Sequence, residues 1–317
     1  MKDALPPVFR SRRRTAGFTA GAVSAAVLAT AFVTAPSPPS PPAPPSAPRA
    51  AEQDAKARGN PWIRPAGAPL TVFAHRGASS AAPENTLVAG EVARRGGAKW
   101  IENDVQPSSD GVPYVLHDAT VDRTTDGTGP IRSLSSARLD ALDAGSWFAP
   151  VYAGARVPTL AAQLADLRER GGNLLLEIKG RHSRDEVARI VREVGEQAIT
   201  RRVFVQSFDV PSLRYARELA PELPLGLLRD ALDADPVAVA ADLGLTAYNV
   251  SHVALAGRPE VVGELHAAGV AVNVWTVDAP ARWKTMDALG VDGVITNRPA
   301  ELAGWTAGRS AGRGPSL

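Results

Sequence analysis

Two histidines, three carboxylates and a lysine are spaced in this chain as a phosphate-handling centre would need them. Glu102 and Asp104 lie two residues apart in the β-branched run Trp100 to Val105, and Glu177 and Lys179 are paired in the same way in the run Leu174 to Lys179. Side chains two apart on a strand share one face, so each pair can point into one pocket. His75 closes another such run, Thr71 to His75. Asp110-Gly111 is a hairpin-turn dipeptide, and folding the chain symmetrically about it sets His117 opposite Asp104. With no cysteine in the chain, three carboxylates make a hard, oxygen-rich donor set suited to one divalent cation, Mg²⁺ or Ca²⁺. Burying the three without a cation would cost several kcal/mol apiece. Arg76 and Lys179 add the fixed positive charge that suits a phosphate.

Something must bring these positions together, and the pattern of the chain names it. From Leu70 onward, short apolar runs alternate with amphipathic stretches, as in a parallel sheet with helical crossovers. Eight strands are predicted: the three runs above, together with Val203 to Phe208, Leu223 to Leu228, Ala247 to Ser251, Ala271 to Val277 and Gly293 to Thr296. Helices are predicted between them at Asn85 to Arg95, Leu160 to Arg170, Arg184 to Ala198, Pro211 to Leu219, Pro259 to Ala268 and Ala279 to Leu289. Eight strands without a glycine-rich phosphate loop favour a (β/α)₈ TIM barrel, an α/β fold, over an open doubly wound sheet. The ionisable residues then fall at the C-terminal ends of strands, where barrel active sites lie. Residues of about 119–157 break the alternation and read as a small insertion at that face.

The N-terminus is of another kind. Arg10, Arg12, Arg13 and Arg14 precede an apolar, alanine-rich stretch, so residues 1–35 read as an export signal or, if uncleaved, as a membrane anchor. The protein is therefore expected to be exported, either secreted or held at the cell surface through this segment. Residues 36–69 open on a proline-rich stretch and read as a linker, with the barrel domain at 70–303 and a flexible tail at 304–317. The first 50 residues carry six basic side chains against one acidic, which leaves 29 basic and 32 acidic in the remainder. The basic pI of about 9.1 thus belongs largely to the tail, and nucleic acid is excluded as a partner of the folded part. The lack of cysteine also excludes disulfides, thiolate metal sites and a cysteine nucleophile. Nothing in the sequence defines an oligomeric state. His182, His252 and His266 lack acidic or glycine-turn company and read as surface residues.

In order along the chain, several motifs resemble the glycerophosphodiester phosphodiesterase family. They are His75-Arg76-Gly77 with Pro83-Glu84-Asn85-Thr86, then Glu102-Asn103-Asp104-Val105 with Leu116-His117-Asp118, then Gly145-Ser146-Trp147-Phe148. Leu176-Glu177-Ile178-Lys179, Val274-Trp275-Thr276-Val277 and Ile295-Thr296-Asn297-Arg298-Pro299 complete the set. The resemblance implies metal-dependent hydrolysis of glycerophosphodiesters to an alcohol and sn-glycerol 3-phosphate. It implies that Glu102, Asp104 and Glu177 bind the metal, and that His75 and His117 are the general acid and base. Arg76 and Lys179 would hold the phosphate, Trp275 would line the substrate pocket, and Glu84 and Asn85 would support the site from behind. Two rivals share part of this pattern. One is a phospholipase D or sphingomyelinase-like phosphodiesterase of the same superfamily, and the other a non-catalytic, phosphate-binding protein of the cell wall; the complete set of ionisable residues argues against the latter.

Overall fold

The structure, a computed structural model, describes residues 59–312. The predicted export or anchor segment and the proline-rich stretch before residue 59 lie outside the described residues. Eight parallel strands close a barrel in the order β1 (Thr71–Ala74), β2 (Trp100–Pro107), β4 (Asn173–Ile178), β5 (Val203–Ser207), β6 (Leu225–Arg229), β7 (Ala247–Ser251), β8 (Ala271–Trp275) and β9 (Gly293–Thr296). The β1–β9 and β1–β2 pairings seal the ring. The short β3 (Pro113–Val115) folds back antiparallel on β2. All eight predicted barrel strands are present; β6 begins two residues later than expected, because Leu223 and Pro224 belong to the turn that enters it.

The crossover helices are α1 (Leu87–Arg95), α3 (Leu160–Arg170), α4 (Arg184–Glu196), α5 (Val210–Leu219), α6 (Pro236–Leu243), α8 (Val261–Ala267), α9 (Pro280–Leu289) and α10 (Pro299–Gly312). Their starts follow sequence punctuation: Thr86, Thr159 and Asp209 accept from backbone N–H groups of the first turn, and Ser183 forms a full capping box with Glu186. Gly290 ends α9 in the left-handed conformation. Leucine and valine from the outward faces of the strands pack against these helices in one continuous core. Among the described residues, no helix is long and apolar enough to cross a membrane.

The insertion contains α2 (Ser136–Asp140) and has a core of its own around Tyr114, Leu116, Val121, Ile131, Leu139 and Leu142. Asp143 organises its far end by accepting backbone N–H bonds from Gly145, Ser146 and Gly154. The remaining short helix, α7 (His252–Ala256), follows β7.

Both predicted boundaries of the barrel domain need correction. The linker does not extend to residue 69, because Trp62 closes the base of the barrel. Its ring meets Trp100 at 5.0 Å and Phe204 at 4.6 Å, both edge-on. Arg64 anchors the same segment through a backbone bond to Asp292 and an ion pair with Asp287 at 3.0 Å. Proline content describes the start of that region, whereas its end carries two large apolar side chains, Trp62 and Ile63, that the barrel floor needs. At the other end, residues 304–312 are helical rather than a flexible tail. Trp305 stacks at a tilt on Trp283 and Arg309 pairs with Asp287 at 2.6 Å, so α10 docks against α9.

Candidate active site

Most of the site residues lie on or just beyond the barrel strands β1, β2, β4 and β8. Beyond β1 the chain turns sharply, with Arg76 at φ 56° and Asn85 at φ 58°, both in the left-handed region that side chains rarely adopt. This conformation turns the Arg76 N–H onto Glu102 Oε2 at 2.9 Å, while Arg76 O accepts from Asn85 N–H. Asn85 therefore does not begin α1 as predicted. Its side chain instead donates to Asp104 Oδ2 at 2.9 Å.

Glu102, Asp104 and Glu177 converge, with one carboxylate oxygen from each lying within 4.8 Å of the others. All three are buried. Asp104 Oδ1 and Glu177 Oε1 have no hydrogen bond of good geometry, and only Lys179 Nζ approaches them, at 3.3 and 3.0 Å. Burial, followed by the charges of Asp104 and Glu177, pushes the Glu102 carboxyl well above its usual range. Burial and then Asp104 push Glu177 up to about 8. For Asp104 burial also acts upward, but Lys179 and Arg76 outweigh it and hold the carboxyl at about 2. Three buried, all-oxygen donors, two with an unsatisfied oxygen and two driven toward protonation, fit a divalent cation.

Both histidines line the same cavity, of about 250 Å³, as do Arg76, Glu102, Glu177 and Lys179. His75 Nδ1 lies 2.6 Å from Asn297 Oδ1. The Asn297 amide nitrogen donates to Asp278 Oδ2 at 2.7 Å, so the amide oxygen is the atom that faces His75. His75 must then carry its proton on Nδ1 and leave Nε2 with a lone pair. Burial and the neighbouring Arg76 push its pKa down to about 4. His117 Nδ1 lies 2.8 Å from Asp118 Oδ1, and Arg123 grips that carboxylate from behind at 2.6 Å. The second arm of the Arg123 fork holds Glu84, which also receives Arg76 Nη1 at 2.8 Å. Glu84 thus ties Arg76 and Arg123 into one network.

The predicted register of the hairpin is off by one residue. Val105 pairs with Val115, and the Leu116 N–H bonds Asp104 O, so Asp104 faces Leu116 and His117 lies just beyond. Ser109, Asp110 and Gly111 form a three-residue loop with Gly111 at φ 78°, not a two-residue turn centred between Asp110 and Gly111. His182 also departs from its surface reading: it is buried beneath the loop after β4, near Gly180 and Ser212. Sequence reasoning missed Asp278 and Gln206. Gln206 Nε2 approaches Glu102 Oε1 at 3.3 Å. Trp275 lines the cavity, its ring held by an indole N–H bond to Asn249 O.

Fold and site together define a (β/α)₈ barrel whose mouth brings three buried carboxylates and two oriented histidines together. Residues 75–301 match the model of the glycerophosphoryl diester phosphodiesterase family, and the chain belongs to that family. It is 36% identical over 235 residues to a glycerophosphodiester phosphodiesterase of Caldanaerobacter subterraneus subsp. tengcongensis, covering 73% of this chain and 95% of the relative. A glycerophosphodiester phosphodiesterase of Agrobacterium tumefaciens shares the fold at a TM-score of 0.67 and 33% identity, over 74% of this chain and 99% of that one. A phosphodiesterase of Oleispira antarctica, solved with the product sn-glycerol-3-phosphate, superposes at a TM-score of 0.68 with 28% identity, over 74% and 96% of the two chains.

Proposed function

We propose that this chain hydrolyses glycerophosphodiesters to an alcohol and sn-glycerol 3-phosphate, using His75 and His117 for proton transfer and one divalent cation, Mg²⁺ or Ca²⁺, held by Glu102, Asp104 and Glu177. The observation that carries this reading is the pair of histidines on one cavity, each with Nδ1 engaged and Nε2 left for substrate. When bound, the cation would neutralise phosphate charge and polarise a phosphoryl oxygen.

The residues of the chain supply the rest. Lys179 and Arg76 line the cavity and attract the anionic diester. His75 is neutral over most of the pH range, which suits a base that takes the proton from the attacking hydroxyl at Nε2. His117 has the negative charge of Asp118 behind its ring, which suits the donor that protonates the leaving alcohol oxygen as its bond to phosphorus breaks. The attacking oxygen is that of water, or of the substrate's own glycerol hydroxyl, in which case water must then open the cyclic phosphate so formed to give sn-glycerol 3-phosphate. The arginine cluster and apolar stretch at the N-terminus support export of the enzyme.

The test is release of sn-glycerol 3-phosphate from glycerophosphocholine and glycerophosphoethanolamine by protein beginning near Ala51. Chelator should abolish release, and Mg²⁺ or Ca²⁺ should restore it. His75→Ala and His117→Ala should each lower kcat by about 10²-fold or more with the fold intact. Full activity of either variant, or release that survives chelation, would overturn the respective role.

A further inference from the structure

The two histidines of the site are held by different means. His75 takes its direction from Asn297, a neutral amide just beyond β9. His117 takes it from a charged neighbour, Asp118, and the two side chains stand beyond β3 at 27% and 30% exposure. The backbone there is already fixed, because Gln106 Nε2 reaches the carbonyl oxygens of Leu116, His117 and Asp118 at 2.8, 3.1 and 2.8 Å. What this leaves open is the direction of the Asp118 carboxylate.

Arg123 sets that direction. Its Nε donates to Asp118 Oδ2 at 2.6 Å and its Nη2 to Oδ1 at 3.1 Å, while Nη1 and Nη2 donate to Glu84 Oε2 and Oε1 at 2.9 and 2.8 Å. Four of the five guanidinium N–H groups thus end on carboxylate oxygens, two on each carboxylate. Glu84 is the fixed end of this clamp, since Arg76 Nη1 holds it from the β1 side at 2.8 Å. Among the described residues, Arg123 is the one permanent cation paired with Asp118. The insertion does not depend on the clamp for its attachment: it has an apolar core of its own, and the Tyr152 hydroxyl donates to Ala81 O at 2.8 Å. Half-exposed ion pairs add little stability, whereas a doubly bidentate fork fixes an angle.

We propose that Arg123 is a positioning residue for the reaction: it aims the Asp118 carboxylate so that His117 presents Nε2 to the leaving oxygen, in register with the Arg76 that meets the phosphate. The proposal rests on the hydrolytic reading above, in which His117 protonates the leaving alcohol. Lysine cannot take the place of Arg123, because one ammonium group cannot grip two carboxylates side-on. The cost of losing the clamp must also depend on the leaving group. An alcohol needs a proton as its bond to phosphorus breaks, whereas 4-nitrophenolate departs as an anion without one.

The test measures kcat and KM under saturating Mg²⁺ or Ca²⁺ on glycerophosphocholine and on the 4-nitrophenyl ester of sn-glycerol 3-phosphate. Arg123→Ala should lower kcat on glycerophosphocholine by about 10- to 100-fold, short of the loss from removing the histidine itself. KM should change by less than about threefold, since Arg123 does not line the cavity and Arg76 keeps Asp104 at 3.4 Å. On the nitrophenyl ester, kcat should stay within about threefold of the parent. Arg123→Lys, which keeps the charge, should show the same selective loss and carries the test if the alanine variant fails to fold. Adding Arg123→Ala to His117→Ala should cost less than about threefold more, because both act through one ring. Equal losses on the two diesters, Arg123→Lys within about twofold of the parent on glycerophosphocholine, or a fully additive double variant would overturn the positioning role while leaving hydrolysis in place. No release from either diester by the parent enzyme would instead overturn the hydrolytic reading and the role with it.

Discussion

Replacing Asn297 by alanine tests whether the orientation of His75, and not merely its presence, matters to the reaction. In the native arrangement Asn297 Oδ1 accepts from His75 Nδ1 at 2.6 Å and from Ser79 Oγ at 2.8 Å. The amide cannot turn over, because Asp278 accepts both its side-chain N–H at 2.7 Å and its backbone N–H at 2.8 Å. Alanine removes the group that, among the described residues, dictates which imidazole nitrogen holds the proton, and leaves that Nδ1 without its acceptor. A net hydrogen bond of this kind is worth about 1 kcal/mol, and an unsatisfied buried donor costs about 1–3 kcal/mol. If the reaction requires the ring in its native tautomer, the barrier rises by about 1.4–2.8 kcal/mol, a loss of roughly 10- to 100-fold in kcat. KM should change by less than about threefold, since Asn297 does not line the cavity. Asp278→Ala should produce a similar loss, and the double variant should be little worse than either single one, because both act through the same ring. The assay is sn-glycerol 3-phosphate release under saturating metal, with circular dichroism to confirm folding and ¹⁵N chemical shifts of the His75 ring to report its tautomer. A folded Asn297→Ala protein with kcat within twofold of the parent would refute the reasoning.

Two further outcomes follow from the packing and the electrostatics. The carboxyl of Glu177 is raised to about 8 and that of Glu102 is raised as well, so between pH 6.5 and 8 the metal-free native state binds more protons than the unfolded chain. Stability must then fall as pH rises through that window, by on the order of 1–2 kcal/mol. The depressed pKa of His75 acts in the opposite sense only below its unfolded value near 6.5, outside the window. Thermal melts of chelated protein should show the decline, and saturating Mg²⁺ or Ca²⁺ should stabilise more at pH 8 than at pH 6.5; a flat or rising chelated profile would contradict the assignment. Trp62→Ala should remove the ring that covers Trp100 and Phe204 at the barrel floor, costing about 2 kcal/mol for this partly exposed side chain. That corresponds to a Tm lower by roughly 4–8 °C, and an unchanged Tm would show that residues before Leu70 are dispensable to the fold.

Much of the site was legible because strand alternation carries long-range information in local form. Glu102 with Asp104, and Glu177 with Lys179, share a face by parity alone, and closure of the barrel makes those faces one pocket. Local reasoning failed where partners are distant or loop geometry intervenes. Asn297 lies 222 residues from His75, so no spacing could couple them, although the motif that contains it was visible. His117 was displaced by one register position because a left-handed Gly111 lengthens the loop. Trp62 was hidden by composition, since a proline-rich average masks two aromatic and aliphatic side chains at the end of the segment. The setting of Asp118 follows from Arg123, which reaches both it and Glu84 across the mouth.

The polar interior of the barrel has its own logic. Asn273 Nδ2 donates to Asn249 Oδ1 at 2.9 Å, Asn249 Nδ2 to Gln206 Oε1 at 2.8 Å, and Gln206 Nε2 approaches Glu102 Oε1 at 3.3 Å. All four side chains are buried, and every link runs in the same direction, so a row of amide dipoles ends with its donor on a carboxylate. Such a donor favours the ionised form of Glu102, against the burial and like charges that favour its protonation. The row needs space that ordinary side chains would fill. A Cβ at Gly226 would stand 2.6 Å from Asn249 Nδ2, and one at Gly293 would stand 2.5 Å from Asn273 Oδ1. The two glycines on β6 and β9 thus make room for the same row, which trades apolar packing in the barrel centre for a donor aimed at Glu102.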